Sequence, residues 1–210
     1  MRPVRVALTG GIATGKSVCL KRFAALGAAT LDADVVARAV VGPGTKGLAA
    51  VVERFGPSVL AADGALDRQA LGRLVFADED ARRALEAIIH PAVYAEIAHW
   101  YENLGQDSGN LLQERRVAVA DVPLLYETGH AGGFDCVVVA ACTPAQQLAR
   151  LMARDRLDEA AARRRIQTQW PLEEKVRRAD FVIDTSGSMV ETEERVEQVW
   201  RAIESRIWNL

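Results

Sequence analysis

Residues 10–17 read Gly-Gly-Ile-Ala-Thr-Gly-Lys-Ser, which sets Gly10, Gly15, Lys16 and Ser17 at the spacing of a phosphate-binding P-loop. Glycines let the backbone turn its amides onto phosphate oxygens. A helix opening near Lys16 adds its positive end to the same anion site. Lys16 reaches the β/γ-phosphates as a point charge. Ser17 offers its hydroxyl to Mg²⁺. Gly11, Ile12, Ala13, Thr14 and Gly15 supply the rest of the expected ATP contacts. A dinucleotide fold wants Gly-x-Gly-x-x-Gly, and Ile12 stands where the second glycine belongs, so that reading is rejected.

A P-loop specifies only a nucleoside triphosphate, so the phosphate acceptor has to be argued from other residues. A guanine-specific GTPase would show Asn-Lys-x-Asp, which does not occur. Asp34 follows the second strand expected below, and a carboxylate there can take a proton from an attacking hydroxyl. Arg38, four residues on, points toward the same crevice and can pair with Asp34 or hold an anionic acceptor. Asp32 is a second candidate, and either aspartate can instead cap the helix that follows. Asp121 ends a later strand, where an acid orients Mg²⁺ or binds an acceptor hydroxyl. Arg150 and Arg154 lie four apart in an arginine-rich stretch, and an arginine closing over the γ-phosphate stabilises transferring charge. His90, before Pro91, reads most simply as an interior histidine.

These residues need a scaffold. Apolar, β-branched runs predict five strands, at residues 4–8, 29–31, 117–120, 136–141 and 181–183. Helical periodicity fills 16–26, 144–156 and 159–169, with Asp158 as a cap, and Ser188 with Glu191 boxes the start of a final helix. Residues 35–103 show no strand but several helical patterns, and Pro91 predicts a break at His90 with a new helix beyond it. Residues 105–110 read as a loop. Strands alternating with helices imply an α/β fold, a mostly parallel sheet covered on both faces, with ligands at the carboxyl ends of its strands.

The 210 residues suit one such domain with a helical insertion. The net charge of −2, with 26% charged residues, argues against a broad grip on nucleic acid. No stretch approaches the roughly 20 apolar residues of a membrane span. Cys19, Cys136 and Cys142 lack metal or redox spacing, and the last two read as core. A soluble, cytoplasmic, ATP-dependent small-molecule kinase is expected, without nucleic-acid or membrane partners. A nucleotide-dependent switch with no acceptor is the reading from another class.

The order Leu8-Thr9-Gly10-Gly11-Ile12, Gly15-Lys16-Ser17, Asp32-Ala33-Asp34, Ala37-Arg38, Leu66-Asp67-Arg68, Leu71, His90-Pro91, Asp121-Val122-Pro123-Leu124-Leu125, Glu127, Arg165-Ile166, Gln169 and Ala179-Asp180 resembles the dephospho-CoA kinase family. The resemblance runs from about residue 5 to residue 190. It implies a three-layer α/β/α P-loop NTPase fold with a five-stranded sheet. The implied activity transfers the γ-phosphate of ATP to the ribose 3′-hydroxyl of dephospho-CoA. Another nucleoside or nucleotide kinase on the same scaffold is the rival enzyme. By carry-over Asp34 is the general base, and Lys16 with Arg150 or Arg154 stabilises the γ-phosphoryl. Thr9, Arg38, His90, Asp121, Pro123 and Leu124 line the acceptor side.

The expected core spans residues 1–34, 113–144 and 176–210, the CoA-binding insertion 35–112 and the lid 145–175, in a monomer or weak homo-oligomer. Two positions depart from the family. Glycine is common where Ala13 stands, an easy exchange if φ there is negative. Asparagine is frequent at the place of Thr185, in the loop that meets the adenine, and threonine lacks its amide.

Overall fold

The computed structural model describes residues 2–106 and 117–208. The chain divides into two compact units, residues 1–31 with 101–210, and residues 32–100.

The first unit is built on a five-stranded sheet in the order β2-β3-β1-β4-β5. Its strands are β1 (Val4–Gly10), β2 (Ala29–Asp32), β3 (Val117–Asp121), β4 (Cys136–Ala141) and β5 (Phe181–Asp184). The pairs β1–β3, β1–β4 and β4–β5 run parallel, as the continuous apolar runs require of strands buried on both faces. β1 is two residues longer than its apolar run suggests, because Thr9 and Gly10 still pair with Val139 and Ala140.

α1 (Lys16–Ala25) buries Cys19 and Phe23, and α9 (Met189–Trp208) buries Val196, Val199 and Ile203. Together with Val6, Leu8, Val119 and Val138 these side chains form one core. The capping box before α9 is present: Ser188 N donates to Glu191 at 2.7 Å, and Glu191 N donates to the Ser188 hydroxyl at 3.2 Å. α6 (Pro144–Asp155) and α7 (Glu159–Gln167) follow β4, and Asp158 caps α7 through Ala161 N as expected. A short helix, α8 (Leu172–Arg177), occupies a stretch for which the sequence suggested no element. Its six residues are too few to show helical periodicity.

The second unit is helical among its described elements: α2 (Ala33–Ala39), α3 (Lys46–Phe55), α4 (Arg68–Ala77) and most of α5 (Glu79–Gln106). Val41, Val51, Val59 and Leu71 form its core, with Leu85, Ile88 and Ile89 packed against them.

α5 overturns the expected break at His90. The helix runs through Pro91 for 28 residues. Proline there removes one backbone bond and costs roughly 3 kcal/mol. Apolar contacts on both sides offset that cost, at about 1.5–3 kcal/mol for a fully buried aliphatic side chain and less for a half-buried one such as Leu85, Ile88 or Ile89. They come from Leu85, Ile88 and Ile89 before the proline, and from Val93 and Ile97 after it. The same helix takes in Gly105 and Gln106, where the sequence predicts loop, while residues 107–110 of that predicted loop lie outside the described residues.

Candidate active site

The phosphate loop leaves β1 at Gly10 and enters α1 at Lys16. A side chain at Gly10 would meet the Ala140 carbonyl at 2.5 Å, so only glycine fits between the strands there. Gly15 caps α1 with φ 87°, a left-handed conformation that favours glycine. The first turn of α1 holds no acidic residue, so its positive end is left for an anion. Thr14 is buried, and its hydroxyl donates to the Gly11 carbonyl at 2.8 Å, closing the loop on itself.

Ala13 corrects one expectation. Its φ is +59°, not negative. Alanine there carries the Cβ strain of the left-handed region, roughly 1–2 kcal/mol, which a glycine escapes.

Ala13, Thr14, Gly15, Lys16, Ser17, Arg150 and Arg154 line a cavity of about 290 Å³. Five of these seven are among the residues picked from the sequence for ATP, and the other two are the lid arginines, which meet them there. Arg150 reaches the loop from α6. One guanidinium nitrogen donates to the Thr185 carbonyl at 2.7 Å and the other to its hydroxyl at 3.4 Å. Arg154, one turn on and exposed, pairs with Asp155 at 2.8 Å. Ile12 stands differently. Its amide donates to Gln169 Oε1 at 2.7 Å and its carbonyl accepts from Gln147 Nε2 at 2.9 Å, so both backbone groups are already engaged.

Thr185 is buried and faces the loop backbone. Its hydroxyl donates to the Thr14 carbonyl at 2.7 Å, with the Ala141 carbonyl at 3.1 Å as a second acceptor within reach. The Gly15 Cα faces the Thr185 side chain, which a Cβ there would touch at 3.4 Å.

On the β3 side, the buried Thr9 hydroxyl donates to the Pro123 carbonyl at 3.2 Å, joining β1 to the loop that carries Pro123 and Leu124. Asp121 ends β3 in register with Leu8 and is buried. Burial, with the Asp121 charge nearby, pushes the Cys19 thiol up to about 12. Among the described residues no group of three or more His, Cys, Asp or Glu could hold a metal ion unaided. Ser17 lines the phosphate cavity, where its hydroxyl can be one ligand of a Mg²⁺ ion that takes phosphate oxygens and waters as others. The donor set therefore fits that ion.

The remaining candidates lie in the second unit. Asp32 is the helix cap: its carboxylate accepts from Asp34 N at 2.8 Å. Asp34 and Arg38 are exposed, four residues apart in the first and last turns of α2. His90 is half-buried within α5, immediately before Pro91.

A family model described as dephospho-CoA kinase matches residues 4–191. The chain belongs to the dephospho-CoA kinase family. The Cutibacterium acnes dephospho-CoA kinase is 48% identical over 200 residues, covering 95% of this chain and 84% of that one. A crystal structure from Thermus thermophilus superposes with a TM-score of 0.79 at 30% identity, covering 96% of this chain and 98% of that one. A dephospho-CoA kinase from Campylobacter jejuni gives 0.70 at 28% identity, covering 94% and 96%. The α/β P-loop fold and the kinase class expected from the sequence are those of the family, and such kinases use a nucleotide.

Glu127 and Gln169 enter the sequence reading only within the family resemblance and without a role, and Gln147 and Lys175 do not enter it. Gln147 and Gln169 clamp Ile12 from α6 and from the turn after α7. Lys175 is buried against Glu127 at 2.7 Å, although it sits in the charged run Glu173-Glu174-Lys175-Val176-Arg177-Arg178. Residue type carries no signal for these four, because their role arises from pairing across distant parts of the chain.

Proposed function

We propose that the chain transfers the γ-phosphate of ATP to the ribose 3′-hydroxyl of dephospho-CoA, giving coenzyme A and ADP. The observation that carries this reading is the family match over residues 4–191, which spans the phosphate loop, Asp34, His90 and the Asp121–Leu125 stretch. Asp34 is the general base and accepts the proton of the 3′-hydroxyl. The freed oxygen attacks the γ-phosphorus, and the bond from that phosphorus to the β,γ-bridging oxygen breaks as ADP leaves.

The amides from Thr14 to Ser17 cradle the phosphates, and Lys16 neutralises charge on the transferring group. Arg150 and Arg154, already on the wall of the phosphate cavity, stabilise the same charge. Ser17 would hold Mg²⁺, which when bound would supply neutralisation of phosphate charge. Thr9, Arg38, His90, Asp121, Pro123 and Leu124 hold the acceptor. Gly11, Ile12, Ala13 and Gly15 shape the loop, and the chain around Thr185 faces the adenine. The balanced surface charge suits a cytoplasmic enzyme acting on small molecules as a monomer or weak homo-oligomer.

The test is ADP release measured across a panel of acceptors. Release that depends on dephospho-CoA is expected. Release with a nucleoside monophosphate and none with dephospho-CoA would favour the rival kinase. Slow hydrolysis indifferent to every acceptor would favour a nucleotide switch.

A further inference from the structure

A fully buried cation lies at the carboxyl end of β1, and the steps above do not use it. Lys175 of α8 has no exposed surface. Its ammonium donates to the Glu127 carboxylate at 2.7 Å, the Pro123 carbonyl at 3.1 Å and the Gly10 carbonyl at 3.3 Å. An ammonium has three protons, so all of its donors are satisfied. The Pro123 carbonyl also accepts from Thr9, so one oxygen gathers β1 and α8.

The flanking residues seat the same region. Trp170 N donates to Glu127 at 2.9 Å, and the Trp170 ring stacks on Tyr126 with centroids 6.2 Å apart. Gln169 holds the Ile12 amide at 2.7 Å.

Burying an ammonium is costly, and an apolar side chain of similar volume is often as stable or more so. Burial draws the Lys175 ammonium below the usual lysine range, and the Glu127 carboxylate opposes that pull. What the charge adds beyond packing is a fixed link between three segments: the first residue of the phosphate loop, the loop after β3, and the helix that ends the lid stretch.

We infer that Lys175 is a positioning residue that holds the Pro123–Leu124 loop against Gly10, keeping the acceptor hydroxyl in register with the γ-phosphate. This rests on the proposed function, in which Pro123 and Leu124 line the acceptor side. The hydrogen bonds of Lys175 go to Glu127, Pro123 and Gly10 and not to the Thr14–Ser17 amides, and its link to Lys16 is through charge alone, so its loss falls chiefly on the acceptor side.

The test compares the full-length wild-type chain with Lys175→Met and the double variant Lys175→Met/Glu127→Gln, which removes the stranded carboxylate. Melting temperature, ATP affinity and stoichiometry, and kcat and KM for dephospho-CoA are measured for each. In both variants we expect ATP to bind at full stoichiometry with little change in Kd. Transfer should fall by at least about 10-fold, because an acceptor displaced by an ångström loses on the order of 10²-fold. The double variant should regain melting temperature without regaining kcat. Recovery of both in the double variant overturns the inference, because Lys175 would then only neutralise Glu127. Loss of ATP stoichiometry in proportion to kcat in both variants also overturns it. If the wild type phosphorylates a different acceptor, the proposed substrate fails, and the same comparison is made on that acceptor.

Discussion

The Thr185 hydroxyl donates to the Thr14 carbonyl at 2.7 Å, so the end of β5 braces the middle of the phosphate loop. Arg150 binds the Thr185 carbonyl at 2.7 Å, and one residue therefore seats both the loop and an arginine of the cavity wall. Thr185→Val keeps the shape and removes the donor, leaving buried carbonyls short of a partner at a cost of about 1–3 kcal/mol. A lower melting temperature and weaker ATP binding are expected, with Thr185→Ser close to wild type. Calorimetry and nucleotide titration check both. A valine variant with unchanged ATP affinity would deny the brace.

Ala13 carries φ +59° inside the loop. Ala→Gly at an ordinary helical or extended position costs about 0.5–1 kcal/mol. Here relief of the left-handed strain opposes that loss, so Ala13→Gly should be neutral or up to about 1 kcal/mol more stable. Denaturant unfolding decides. A loss of stability of the ordinary size would mean that the strain is absent.

Asp34 lies exposed in the first turn of α2 with its amide already capped by Asp32. Asp34→Asn should therefore fold and bind ATP normally while losing most transfer, on the order of 10²–10⁴-fold for a general base. Equilibrium ATP binding and single-turnover transfer, measured together, separate the two effects. Near-normal turnover removes Asp34 as the base.

Asp135 ties the amino-terminal segment down far from the phosphates. Burial raises its pKa, but hydrogen bonds from Arg2 and from the Arg5 amide and guanidinium outweigh that and hold it down at about 2. Its folded pKa lies below the unfolded value, so its contribution is present above about pH 4 and is lost as pH falls toward 2. Asp135→Asn should lower stability at pH 7 with kcat unchanged, and the gap to wild type should close in that acid window. A gap that persists at pH 2 contradicts the assignment.

Legibility in the sequence followed range. The phosphate loop is local, so its glycines, Lys16 and Ser17 could be read from spacing alone. The Asp158 cap and the Ser188–Glu191 box depend on neighbours within four residues, and both were readable. Pro91 misled because a local rule met tertiary packing that outweighed it. The sign of φ at Ala13 was hidden because alanine tolerates several conformations. Lys175 was hidden because its partners stand 48 to 165 positions away, beyond any periodicity. The Thr185 hydroxyl faces Thr14 across 171 positions, a pairing that only the folded sheet creates.

The central claim is the destination of the γ-phosphate. ATP labelled at that phosphate, incubated with the chain, Mg²⁺ and dephospho-CoA, should deliver the label to the ribose 3′-oxygen in one-to-one ratio with ADP formed. Label recovered as inorganic phosphate at a rate indifferent to dephospho-CoA, or on a nucleoside monophosphate instead, would contradict the account.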